Sequence, residues 1–195
     1  MNPASIKDLY DRKASAMGRR PSFGRGSGHA RIRLSDGFLC DVFHEDRTAR
    51  VDQPESAGGG GNAPHPGQLM RASLGACLAI GYRLWGVRKD TPIDAVEVDI
   101  TCEFDARGQM GVSSEVAVGW QRILFDVVIT SSAPEEAVRA VVETADRLSP
   151  MLANLASSIE RVHRLTIVPG LPTAKRAEPQ IAQPNLRPEN ERKRP

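Results

Sequence analysis

The stretch PHPGQLMRASLGACLAIGYRLWGVRK, residues 64–89, decides how the rest of the chain is read. Pro66 suits the first turn of a helix, where its missing N–H costs nothing. No further proline follows until Thr91-Pro92, so the run predicts a helix of about 22 residues. The small residues Ala72, Gly75, Ala76, Ala79 and Gly81 are spread around it. Neighbouring backbone can therefore approach from several sides, and this helix is expected to be the central, buried one. Just ahead, residues 54–67 read PESAGGGGNAPHPG, too rich in Gly and Pro for a regular element. The four glycines lack the Lys-Ser/Thr of a phosphate-binding loop and are expected to form a mobile lid over a pocket.

Working outward, residues 3–17 predict a short helix with Ile6, Leu9, Tyr10 and Lys13 on one side, followed by the basic stretch GRRPSFGRGSG. HARIRL, the turn SDG and FLCDVFHE then read as a hairpin, Ile32 and Leu34 alternating with Arg31 and Arg33. A third strand is expected near Thr48–Val51. Beyond the long helix, AVEVDITCEF (95–104) alternates strictly, and QRILFDVVIT (121–130) forms another strand. Residues 134–148 give an amphipathic helix with Ala137, Val138, Val141, Val142 and Ala145 on one face, and Glu135 and Glu136 suit its first turn. After Ser149-Pro150 come a short helix, MLANLASS, and a last strand at 162–168.

This order predicts an α+β domain, an antiparallel sheet of about six strands with two main helices. Its expected limits are residues 28–169. Residues 1–27 form an N-terminal helix and arm, and the proline-rich, polar segment 170–195 is expected to be a disordered basic tail.

Charge narrows the functions. The net charge of +2 hides a tail, residues 171–195, with six Lys/Arg against three Glu, which leaves about −1 for the remainder. Aromatic residues make up 5%, so a basic surface interleaved with aromatics, as nucleic-acid binding requires, is not expected. No run approaches the roughly 20 apolar residues of a membrane span, and no secretory signal is evident. A cytoplasmic protein is expected. The cysteines at 40, 77 and 102 form no CxxC pair and no complete set of disulfides, so neither a metal site nor a cofactor is implied.

The segment from Pro64 to Ile100, above all LGAC at 74–77, resembles the OsmC/Ohr family of osmotically induced and organic hydroperoxide resistance proteins. The resemblance spans roughly residues 28–168. It implies the OsmC-like fold, an intertwined homodimer with each site built from both subunits, and Cys77 as the thiolate that attacks a peroxide. A free thiol is mostly protonated at neutral pH, so the family's chemistry calls on an arginine to favour the anion and on a second cysteine to capture the sulfenic acid.

Three departures accompany the resemblance. Where the family begins its short helix with Cys-Pro, this chain has Ser149-Pro150; where it keeps a carboxylate ahead of the reactive cysteine, this chain has Gly67 and Gln68. Its arginine has three candidates here, Arg25, Arg31 and Arg33, of which Arg25 is preferred.

With no internal resolving thiol, an external thiol becomes the expected reductant. His65, Gln68, Trp85 and Met151 are expected to line the substrate pocket. Cys40 and Cys102, on alternating strands, are expected to pack as small hydrophobes. The expected function is thiol-dependent reduction of organic hydroperoxides. The competing ones are a non-catalytic module that binds a small apolar or thiol-reactive ligand, with Cys77 as a packing residue or slow sensor, and an adaptor acting through the basic tail.

Overall fold

The computed structural model describes residues 3–44 and 47–156. The strand expected at 162–168 and the tail lie outside them. In chain order the elements are α1 (Pro3–Arg19), β1 (Arg31–Asp36), β2 (Leu39–His44), β3 (Arg47–Val51), α2 (Pro66–Arg88), β4 (Ala95–Phe104), α3 (Ala106–Gln109), β5 (Trp120–Thr130), α4 (Glu135–Arg147) and α5 (Pro150–Ala156). Short 3-10 turns at Pro21–Gly24 and Glu55–Ala57 complete the set. Asp105 caps α3, accepting the Arg107 N–H at 3.0 Å, so part of what reads as a glycine-rich turn is a single helical turn. Among the described residues no helix is long and apolar enough to cross a membrane.

The strands form two separate antiparallel sheets, β1-β2-β3 and β4-β5. The expected sheet of about six strands is thus corrected: alternation identifies a strand, but it does not specify which edge accepts it. Between β3 and β4 the chain spends a loop and the whole of α2, and among the described residues the two sheets share no ladder. In the three-stranded sheet Ile32 lies opposite Val42 and Leu34 opposite Cys40, while Val42 and Cys40 in turn face Ala49 and Val51. That face is apolar, yet Ile32 and Leu34 remain 58% and 56% exposed.

The core forms where α2 crosses the second sheet. Leu74, Leu78, Tyr82 and Gly86, one turn apart, make the buried stripe of α2. Val96, Val98 and Ile100 of β4, Val127 and Ile129 of β5, and Ala145 of α4 pack around it. Gly86 is there because β4 enters at once: a Cβ on it would lie 2.5 Å from Ile93 Cγ1 and 2.8 Å from the Thr91 carbonyl oxygen. The expectation of burial on several sides holds for this stripe alone. Ala72, Ala76 and Ile80 lie on an open face, Ile80 being 66% exposed.

Helix α1 borders the later turns of α2 through Ile6 and Tyr10, near Leu84 and Val87. Ion pairs of Lys7 with Asp90 and of Arg88 with Asp11 reinforce the contact.

Inside the core, the Tyr82 hydroxyl donates to Asp146 Oδ1 at 2.8 Å. Burial, and then the hydrogen bond and charge of Asp146, push the phenol's pKa well above its ordinary value. The phenol stays protonated and donating at every physiological pH. Tyr82→Phe removes the donor and is expected to lower the unfolding free energy by about 1–2 kcal/mol. Urea unfolding of the two proteins checks this; unchanged midpoints would contradict it.

Candidate active site

The site is built from the loop that feeds α2. Asp52, at the end of β3 and 2% exposed, accepts the Gln53 N–H at 2.8 Å on Oδ1 and the Asn62 N–H at 3.1 Å on Oδ2. Its own N–H donates to the Pro64 carbonyl at 3.2 Å. One carboxylate therefore closes the loop on itself, and the glycines serve that closure. A Cβ on Gly59 would fall 2.0 Å from the Gln53 carbonyl oxygen. The expected mobile lid is corrected to a pinned turn with its own backbone hydrogen bonds, Gly59 to Pro54 and Gly61 to Gln53.

That loop sets the first turn of α2. His65 Nδ1 accepts the Gly67 N–H at 3.1 Å, and Gln68 Oε1 accepts the His65 N–H at 2.9 Å. This reciprocal cap satisfies two donors at the helix start. His65 and Gln68, expected in the pocket, both have a polar atom committed to the cap.

Cys77 sits three turns further on, half-buried. Its Sγ lies 3.8 Å from Ser149 Oγ, across 72 positions of sequence. Ser149 is held by both of its neighbours: its N–H donates to the Asp146 carbonyl at 3.2 Å, and its Oγ accepts the Leu152 N–H at 3.3 Å to cap α5. Asp146, through Tyr82, ties the same junction back to α2. Met151, the next residue but one, is half-buried against the core. Cys77, Ser149 and the start of α5 thus come together.

The remaining expected residues lie elsewhere. Trp85 packs against the core beneath the Arg88 guanidinium, 4.5 Å from its ring, and stands about 12 Å along the helix axis from Cys77. Arg25 is exposed beyond the turn Pro21–Gly24. Arg31 and Arg33 lie over the Phe43 ring at 5.1 and 6.0 Å. Among the described residues the partner of the Cys77 sulfur is Ser149, and none of these three arginines takes that place.

On the β4 side of α2 lies a cavity of about 350 Å³, lined by Arg71, Ala72, Gly75, Ala76, Val98 and Ile100. Cys102 belongs to the same sheet face; burial pushes its thiol pKa up, and the Arg71 charge offsets part of that. The sequence reading passed over Arg71, although it is the single charged residue between positions 66 and 82. Asp52 was passed over too, because an aspartate beside a glycine loop ordinarily reads as solvated.

The OsmC-like protein family model matches residues 58–163, more than half of the chain. This chain belongs to the OsmC family. Solved relatives agree on the fold. An OsmC-like protein from Mycoplasma pneumoniae superposes with a TM-score of 0.58 at 14% identity, covering 67% of this chain and 87% of that one. The organic hydroperoxide resistance protein OsmC of Legionella pneumophila gives 0.52 at 19%, covering 67% and 90%. A Vibrio cholerae protein described as a putative organic hydroperoxide resistance protein, with captopril bound in one of its active sites, gives 0.50 at 19%, covering 70% and 90%. No curated protein matches the sequence. At such identities the likeness establishes the OsmC fold, and the chemistry must be argued from the side chains.

Because the pinned loop orients the helix that carries Cys77, Gly59→Ala is expected to destabilise the protein by about 2–3 kcal/mol through overpacking. Gly26→Ala, with nothing within 4 Å, is expected to stay within about 0.5 kcal/mol of the parent. Urea midpoints compare the two; equal, small effects would remove the loop's structural role.

Proposed function

We propose that this OsmC-family protein reduces organic hydroperoxides through the single thiol of Cys77 and is regenerated by an external thiol. The observation that carries the reading is the 3.8 Å approach of Cys77 Sγ and Ser149 Oγ. Those are the two positions at which the family resemblance puts the attacking and the resolving cysteine. With serine at the second, one thiol remains to do the chemistry.

In the reaction, the Cys77 thiolate attacks the hydroperoxide: an S–O bond forms as the O–O bond breaks, and the alkoxide takes a proton from water. The sulfur is oxidised to a sulfenic acid. A thiol from solution then condenses with it, releasing water and leaving a mixed disulfide; a second thiol frees Cys77 and departs as the disulfide of the donor. The apolar surroundings of Met151 and Leu152 suit an organic hydroperoxide better than a polar one. A compartment with abundant small thiols, such as the cytoplasm, suits the regeneration step and the three free cysteines.

The competing reading, a binding module for a small apolar ligand, has an observation of its own in the α2–β4 cavity, whose lining residues other than Arg71 are apolar. Turnover separates the two. With cumene hydroperoxide and a monothiol or dithiol donor, the protein is expected to consume peroxide catalytically. Cys77→Ser is expected to fall to the uncatalysed rate, while Cys40→Ser and Cys102→Ser keep their activity. Absence of turnover with every donor would sink the peroxidase and leave the binding module.

We further propose that the working form is a homodimer. The uncovered apolar face of β1, with Ile32 and Leu34, and the open face of α2, with Ile80, are surfaces a second copy would bury. Across such an interface Arg25, exposed in the single chain, is our candidate for the arginine that favours the partner's thiolate. Leu34→Glu is expected to shift the sedimentation mass from dimer to monomer; a parent protein that sediments as a monomer would overturn the assignment.

A further inference from the structure

Ser149 is a buried hydroxyl, 6% exposed, and such a group must place both its lone pairs and its proton. Its oxygen accepts the Leu152 N–H at 3.3 Å. Its proton then has one candidate among the described residues, the Cys77 sulfur at 3.8 Å, within the longer reach of hydrogen bonds to sulfur. The hydroxyl is also fixed in place from behind. The Ser149 N–H is bonded to the Asp146 carbonyl, and the Asp146 carboxylate is bonded to Tyr82 on the helix that carries Cys77. Donor and sulfur are therefore mounted on two elements tied together one turn away.

We infer that Ser149 is the positioning residue of the Cys77 thiol: its hydroxyl donates to the sulfur, favours the anion for attack, and remains in contact with the sulfenic acid without resolving it. This rests on the thiol reading of Cys77 given above. The balance of the steps explains why the contact persists. When the S–O bond forms and the O–O bond breaks, the sulfur is oxidised, and only a reductant can reverse that. A cysteine at 149 would supply the electrons by forming an S–S bond with loss of water. A serine hydroxyl has no accessible oxidised partner state and supplies only a hydrogen bond. The oxidised site therefore waits for a thiol carried by another molecule.

The test uses the full chain with Cys40 and Cys102 replaced by serine, so that Cys77 is the single thiol, and compares Ser149→Ala, Ser149→Thr and Ser149→Cys with that parent. Iodoacetamide alkylation of Cys77 at neutral pH is expected to slow about tenfold in Ser149→Ala, the worth of a hydrogen bond to a charged group. It is expected to recover in Ser149→Thr, which keeps the hydroxyl. Loss of packing alone would slow both variants, so failure of threonine to rescue overturns the inference, as does an alanine variant that reacts at the parent rate.

Ser149→Cys, treated with one equivalent of cumene hydroperoxide, is expected to form a 77–149 disulfide and lose dimedone labelling. Persistent dimedone labelling, with no disulfide formed, would show that the contact is not made in solution and would likewise overturn the inference. Alkylation requires no peroxide. A parent that alkylates as expected but never consumes hydroperoxide defeats the peroxidase reading and leaves Ser149 in place. A parent that turns over with Ser149→Ala unaffected does the reverse.

Discussion

The hydrogen bond from Tyr82 to Asp146 ties the cysteine helix to the helix pair behind it, and the rest of the site depends on that tie. Its Tyr82 end is buried with Leu78 and Ala145, where a polar group without a partner is costly. Once α4 is fixed on α2 at this point, its last turn can only deliver Ser149 and the start of α5 beside Cys77. The distance of 3.8 Å between the sulfur and the serine oxygen is a consequence of that docking. The long separation in sequence between these two residues is bridged by the core, with no covalent link.

At the other end of α2 a second buried polar group does comparable work. Asp52 draws the Gly-rich loop closed by accepting two backbone N–H groups, and the loop hands the chain to the cap formed by His65 and Gln68. The helix is thus fixed at its start by a carboxylate and in its second half by a phenol, with the thiol between them. Both devices keep buried polar atoms satisfied, and both leave the outer face of α2 open. An apolar face of the three-stranded sheet, with Ile32 and Leu34, likewise stays uncovered.

Local periodicity made much of this legible in the sequence. The strict alternation of Ala95–Phe104 gave its strand to the residue, and the proline-bounded run carrying Cys77 gave its helix, because both patterns repeat within a few residues. Sheet partnering was not legible, since the edge that accepts a strand is chosen by contacts far away in sequence; hence five strands in two sheets among the described residues where one sheet was expected. The cap at His65 escaped notice because histidine is not among the usual capping residues. The glycine run misled because glycine signals both mobility and close approach, and here a backbone carbonyl lies where its side chain would go. Cys77 and Ser149 could be paired in advance only through the family resemblance. Neither residue carries a local signal for the other.

A site with one sulfur and one hydroxyl behaves differently from a site with two sulfurs. On the function proposed above, oxidation of Cys77 stops at a sulfenic acid that the Ser149 hydroxyl cannot resolve, and turnover would be coupled to a thiol carried by another molecule. The most direct measurement is the intact mass of the full chain after one equivalent of cumene hydroperoxide in the absence of thiol, with the modified residue mapped by fragmentation. The account predicts the gain of a single oxygen atom, located on Cys77 and removed by added thiol. An unchanged mass, or the loss of two hydrogens as Cys77 pairs with Cys40 or Cys102, would contradict it.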